Sequence, residues 1–239
     1  MKQILTFLVI IISLVSGGVA SAQTTEPSAS QLLIEDKQMQ FLKDMNGSPI
    51  RMNSSYNVTG SPFFPKNYCT ATMKVQKGKK YEDVSIKLNM EDNDVYVKFG
   101  EEKELVSTVQ LEYIEFNGCD NGGKQIFRSG FPAVDKQTDK SYYQVLSDGN
   151  LLLLKSFNVS IRNETVYGSS TVTKVYETAN WYYAYSPDKG IVRLKDNAVV
   201  LDLVPAQKKE AEKFISDQNI KVKREADLIK LFAFLNTAK

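Results

Sequence analysis

The chain has no histidine among its 239 residues and only two cysteines. Without imidazole there is no Ser-His-Asp triad, no Cys-His pair and no histidine-ligated metal site. A cysteine nucleophile is equally unsupported, because nothing of that kind is present to lower a thiol pKa. An excess of one charge is also missing. Thirty Lys and Arg residues face 28 Asp and Glu, for a formal charge of +2. The signs are interleaved, so there is neither a basic stripe for nucleic acid nor a polybasic segment for anionic lipid. Past the N-terminus, long apolar runs are absent. Hydrophobic residues still make up 42% of the chain, which excludes a disordered tail.

What is present begins with an export signature. Lys2 precedes an apolar run over residues 4–15, Gly17-Gly18 interrupt it, and Ala20-Ser21-Ala22 lies before Gln23. This order reads as a signal peptide over residues 1–22, cleaved after Ala22. The run is shorter than the roughly 20 apolar residues of a spanning helix, so no transmembrane anchor is expected after cleavage. No cysteine sits at the junction, which argues against a lipoprotein. The expected location is the periplasm or the extracellular space. In an oxidising compartment Cys69 and Cys119 become a candidate disulfide, with two unpaired thiols as the alternative.

Residues 23–67 read as a leader, with a short helix possible over 31–45 and an irregular, Asn/Ser/Pro/Gly-rich connector over 46–67. From residue 68 the grammar is that of strands. Runs at 70–76, 81–88, 95–99, 104–107 and 109–115 are separated by polar turns, the pattern of an antiparallel meander. In the last of these, alternation places Leu111, Tyr113 and Glu115 on one face and Glu112 and Ile114 on the other. The pairs 141–146 with 151–154 and 181–185 with 191–194 are hairpins whose strands are apolar on both faces. Such strands require cover on each side, which the tail is expected to supply. That tail reads as helices over 197–204, 205–218 and 225–235, with Pro205 suited to a first turn and Glu225 and Asp227 favourable at a helix start. The expected class is α+β. An antiparallel twisted sheet or roll spans 68–194, and a small C-terminal helical unit spans 195–239.

Some of these residues carry a family likeness. Gly60-Ser61-Pro62-Phe63-Phe64 leads to Lys77-Gly78-Lys79-Lys80-Tyr81-Glu82-Asp83-Val84-Ser85-Ile86-Lys87-Leu88-Asn89. The chain ends in Asp227-Leu228-Ile229-Lys230-Leu231 and Phe234-Leu235-Asn236. Over residues 60–239 this resembles an uncharacterised group of exported Bacteroidota proteins with a β-meander and a helical tail. The resemblance implies compartment and fold. It brings no activity, and residues 118–123 depart from its pattern.

The residues point to no catalytic set, no cofactor and no metal. Glu91, Asp92 and Asp94 form the densest acidic cluster, but a carboxylate hydrolase needs two acids facing each other across a cleft. These acids, and Asp135 with Asp139, offer hard oxygen ligands without an EF-hand order. The aromatic strands are more informative. Trp181, Tyr183 and Tyr185 share one strand face, and Tyr142 lies in the neighbouring hairpin. Flat rings in a row can stack on sugars or anchor a partner, or they can pack across strands beneath the tail. The leading expectation is a non-enzymatic binding or assembly module of the cell envelope, with an envelope protein, a glycan or a lipid as partner. A carrier holding a small apolar or glycan ligand between sheet and helices is the first alternative. A carboxylate hydrolase is the second.

Overall fold

The computed structural model describes residues 42–43, 57–75, 78–100, 103–119, 123–165 and 172–237. The expected signal peptide lies outside these residues. So does the helix expected over 31–45, except for Leu42–Lys43, which form a short strand, β1. Their main chain pairs with Val106 and Ser107 of a sheet edge, and that pairing prevails over a loosely spaced helical pattern.

Eleven further strands follow: β2 (Asn57–Thr59), β3 (Phe63–Val75), β4 (Lys80–Asn89), β5 (Asp94–Phe99), β6 (Lys103–Ser107), β7 (Leu111–Cys119), β8 (Gly123–Arg128), β9 (Tyr143–Ser147), β10 (Leu152–Thr165), β11 (Val172–Ser186) and β12 (Gly190–Arg193). Helices α1 (Asn197–Leu203), α2 (Lys208–Asp217) and α3 (Glu225–Thr237) complete the described chain. The sheet order is β1-β6-β5-β4-β3-β7-β8-β9-β10-β11-β12, with β2 added to β11. Every pairing is antiparallel except that of β2. The protein is thus α+β, an antiparallel-dominated sheet with a helical C-terminal unit.

The main core shows why the sheet rolls. It gathers Met73, Ile86, Leu88, Val97, Leu111, Ile114, Phe116 and Phe127, with Phe64, Phe157 and Val159 packed against them. Strands β3 and β10 are separated in the sheet by β7, β8 and β9. Yet the rings of Phe64 and Phe157 lie 5.5 Å apart. A sheet with one apolar face can bring these strands together only by curling over it. Burying that face removes the apolar area that drives folding.

Three sequence expectations are corrected here. Two short strands, β1 and β2, join the sheet before residue 68, and the meander itself starts at Phe63, because Phe63 and Phe64 pair with Asn89 and Leu88. Pro65 follows at a register break, where a missing N–H is tolerated. Strand β8 occupies Gly123–Arg128, a stretch whose neighbouring glycines read as loop. The faces of β7 also differ. Tyr113 pairs with Lys74 but Leu111 pairs with Val75, so Glu112 is an extra residue and the alternation reverses. Leu111, Ile114 and Phe116 are all buried as a result.

The inner halves of β10 and β11 are covered on both faces. Leu151, Leu153 and Ala184 lie under the helices, with Val200, Ala211, Leu228, Leu231 and Phe232. On the other face Leu152, Leu154, Tyr143, Tyr183 and Ile191 pack beneath Phe131 and Val134. The tail therefore covers one face, and residues 131–134 of the β8–β9 connection cover the other. The Asn236 side chain fixes the tail to the sheet: it accepts from Leu151 N at 3.0 Å and donates to Leu151 O at 3.0 Å. Gly149 allows that approach, since a Cβ there would meet the Asn236 side chain at 2.5 Å. At the start of α3, Glu225 accepts from Tyr182 Oη at 3.0 Å and pairs with Lys155 at 2.8 Å.

Candidate functional site

The outer half of the β10–β11 hairpin runs past the first residues of β3. Phe157 and Val159 of β10 pair with Asn180 and Thr178 of β11, so all four side chains share one face. That face looks onto a cleft of about 550 Å³, lined also by Pro62, Phe63, Phe64, Lys66, Met90 and Gln125. Its size is within the range of small-molecule sites. The aromatic wall is packed ring against ring. Phe64 lies 4.8 Å from Phe127 and 5.7 Å from Phe116, and Phe127 lies 6.0 Å from Phe157.

One polar atom in this apolar setting lacks a partner. Gln125 Oε1 is buried and has no hydrogen-bond partner among the described residues. An unpaired amide oxygen costs roughly 1–3 kcal/mol in desolvation, which a ligand hydroxyl or N–H would recover. Chain geometry explains how the wall is held. Between Phe64 and Cys69 strand β3 leaves its register with β4. Cys69 is tied to Cys119 at the end of β7 by a disulfide with a Cα–Cα distance of 6.1 Å. The bridge spans a sequence separation of 50 residues. Closing a loop of that length stabilises by about 4 kcal/mol in the chain-entropy description.

The aromatic residues singled out from the sequence fall in different places. Tyr142 is buried in the main core, where its hydroxyl accepts from Leu111 N at 3.1 Å. Tyr183 is fully buried, donates to Asp135 Oδ2 at 3.2 Å and meets Tyr143 edge-on at 5.5 Å. Burial, ahead of the charge of Asp135, raises the Tyr183 pKa. Tyr185 is half-buried, its ring 4.9 Å from that of Phe131. These three rings pack within the protein, Tyr142 inside the roll and Tyr183 and Tyr185 on the face of β10 and β11 away from the helices. Trp181 alone of the four borders open space, a smaller cleft of about 320 Å³ between β11, β12 and the α2–α3 connection. There the Arg193 guanidinium stacks on its ring at 3.7 Å.

The acidic cluster is a turn. Asn89 donates to Asp92 Oδ2 at 2.9 Å and accepts from Glu91 N at 3.0 Å, with Glu91 and Asp92 exposed. Partial burial, then the charge of Asp92, raises the pKa of Glu91 and of Asp94. Among the described residues no group of three Cys, Asp or Glu side chains is placed to hold a metal ion. Nor is any described helix long and apolar enough to cross a membrane.

Sequence reasoning missed the cleft. Its one readable signal was the alternation Phe157, Val159, Ile161 against Asn158, Ser160, Arg162 along β10. No alternation shows that this stripe meets Phe63 and Phe64 across the roll, or that Gln125 lies between them. No protein-family model, curated protein or solved structure matches the chain.

Proposed function

We propose that the protein is an exported, non-enzymatic binding protein that carries a small amphipathic ligand in the cleft between β3 and the β10–β11 hairpin. The observation that carries this reading is the aromatic-walled cleft of about 550 Å³, whose lining includes Gln125, a residue with a buried amide oxygen that has no partner among the described residues. The apolar body of the ligand lies along Phe63, Phe64, Phe157 and Val159, and a hydroxyl or amide N–H meets Gln125. A lipid-like alcohol has that chemistry. This form of carrier differs from one that holds its ligand under the helices, where Leu151 and Leu153 are already packed against the tail. The assembly-module reading has less to stand on. The large apolar side chains exposed among the described residues are Val58, Val109, Ile161 and Ile229, and they come from four separate elements or turns.

Calorimetric titration of the delipidated chain with a medium-chain monoacylglycerol tests the proposal. Saturable binding is expected, with affinity falling at least about tenfold in Val159→Trp, which fills the cleft. Val159 is half-buried and lines the cleft, and urea denaturation of the variant checks that the adjoining core stays intact. No binding by the parent chain, or equal binding by the variant, would contradict the proposal.

A further inference from the structure

The Trp181 cleft has a chemistry unlike that of the carrier cleft. Three cations line it, Arg193, Lys195 and Lys223, and no carboxylate does. Of the acids nearest in sequence or space, three are engaged elsewhere and the fourth, Asp135, meets only one corner of Arg193. Glu225 serves Tyr182 and Lys155. Asp196 caps α1 by accepting from Val199 N at 3.1 Å. Asp227 accepts from Lys221 N at 3.0 Å. Asp135 accepts from Tyr183 Oη and stands 3.6 Å from Arg193 Nη1.

Arg193 is therefore held in place with most of its capacity unspent. Its plane is fixed by Trp181 on one side and by the Asp135 carboxylate at one corner. A guanidinium carries five N–H donors, and among the described residues Arg193 makes no hydrogen bond beyond that one loose ion pair. Lys195 and Lys223 are exposed and have no ion-pair partner among the described residues. A pre-positioned guanidinium fork beside two free ammonium groups is complementary to an oxyanion. Three cations facing a single carboxylate, Asp135, leave an excess of positive charge, and an anion relieves the repulsion among them.

We infer that the cleft formed by Trp181, Arg193, Lys195 and Lys223 is a second binding site, for a ligand bearing a carboxylate, sulfate or phosphate group. The site is separate from the carrier cleft in chemistry and does not depend on it. Two sources supply such a group, a free inorganic anion and an acidic sugar. In the second case the ring of the sugar lies against the apolar parts of Leu194 and Val222, which also line the cleft.

Trp181 is the only tryptophan in the chain, so its fluorescence reports this cleft directly. The full chain would be titrated at constant ionic strength with sodium sulfate, sodium phosphate, trigalacturonate and neutral maltotriose. Calorimetry on the same solutions would detect binding that leaves the emission unchanged. A saturable response to at least one anion and none to maltotriose is expected. Response to sulfate or phosphate alone identifies the free-anion source; tighter binding of trigalacturonate identifies the acidic sugar. In Lys195→Gln/Lys223→Gln, two exposed changes that leave the fold intact, half-saturation should move up at least about tenfold. Failure of every anion in both measurements, a matching response to maltotriose, or an unchanged double variant would overturn the inference.

Discussion

Gln125 separates a structural from a functional explanation of the carrier cleft. A buried amide oxygen without a partner is a cost to the free protein. If its purpose is ligand recognition, Gln125→Leu should leave stability unchanged or raise it by about 1 kcal/mol, because the unpaired atom is gone. The same change should weaken monoacylglycerol binding. Urea denaturation and calorimetry on one preparation read both effects. Loss of stability with unchanged binding would show that the amide serves the fold alone. Tyr142 and Tyr183 teach a related lesson at this scale. Both are rings that a sequence offers equally to a surface or a core, and in both the hydroxyl has a partner inside the protein, Leu111 N or Asp135. Hydroxyl partners distant in sequence are invisible to strand periodicity.

At the scale of elements, the hairpins, the β4–β5 meander and the three helices were legible, because turn residues and apolar spacing are local signals. Three things were not. The start of β3 is disguised by Pro65, and β8 by the glycines before it. The face reversal in β7 depends on one extra residue, Glu112, whose presence as a bulge is set by pairing with β3. The helical unit was anticipated as a cover, and its attachment carries a pH signature. Burial, then the Glu225 carboxylate, pushes the Tyr182 pKa up to about 12, against about 10 in an unfolded chain. The folded state holds this proton more tightly. The stabilisation it confers is complete below the unfolded value and is lost as pH rises from about 10 through about 12. Ionised Tyr182 would face Glu225 as a like charge, so the helical unit should loosen in that window. Helical circular dichroism followed alongside tyrosinate absorbance should show the two changes together. Tyrosine ionisation complete near pH 10 with the helix signal intact would count against this contact.

For the whole molecule, the account rests on the roll. Curling brings β3 and β10 into contact although three strands separate them in the sheet. The cleft exists only because of that non-local meeting, and for that reason its residues could not be assembled from the sequence. The helical unit packs farther along the same face of β10 and β11, on Leu153 and Ala184, and leaves Phe157 and Val159 to line the cleft. A disulfide that braces one wall suits the proposed carrier working outside the reducing cytoplasm. The most direct measurement is a chemical-shift map of the isotopically labelled full chain as monoacylglycerol is added. The account predicts shifts concentrated at Phe63, Phe64, Met90, Gln125, Phe157 and Val159, with Leu228, Leu231 and Phe232 on the buried side of α3 unmoved. Shifts centred on the sheet–helix interface, or none at saturating ligand, would contradict it.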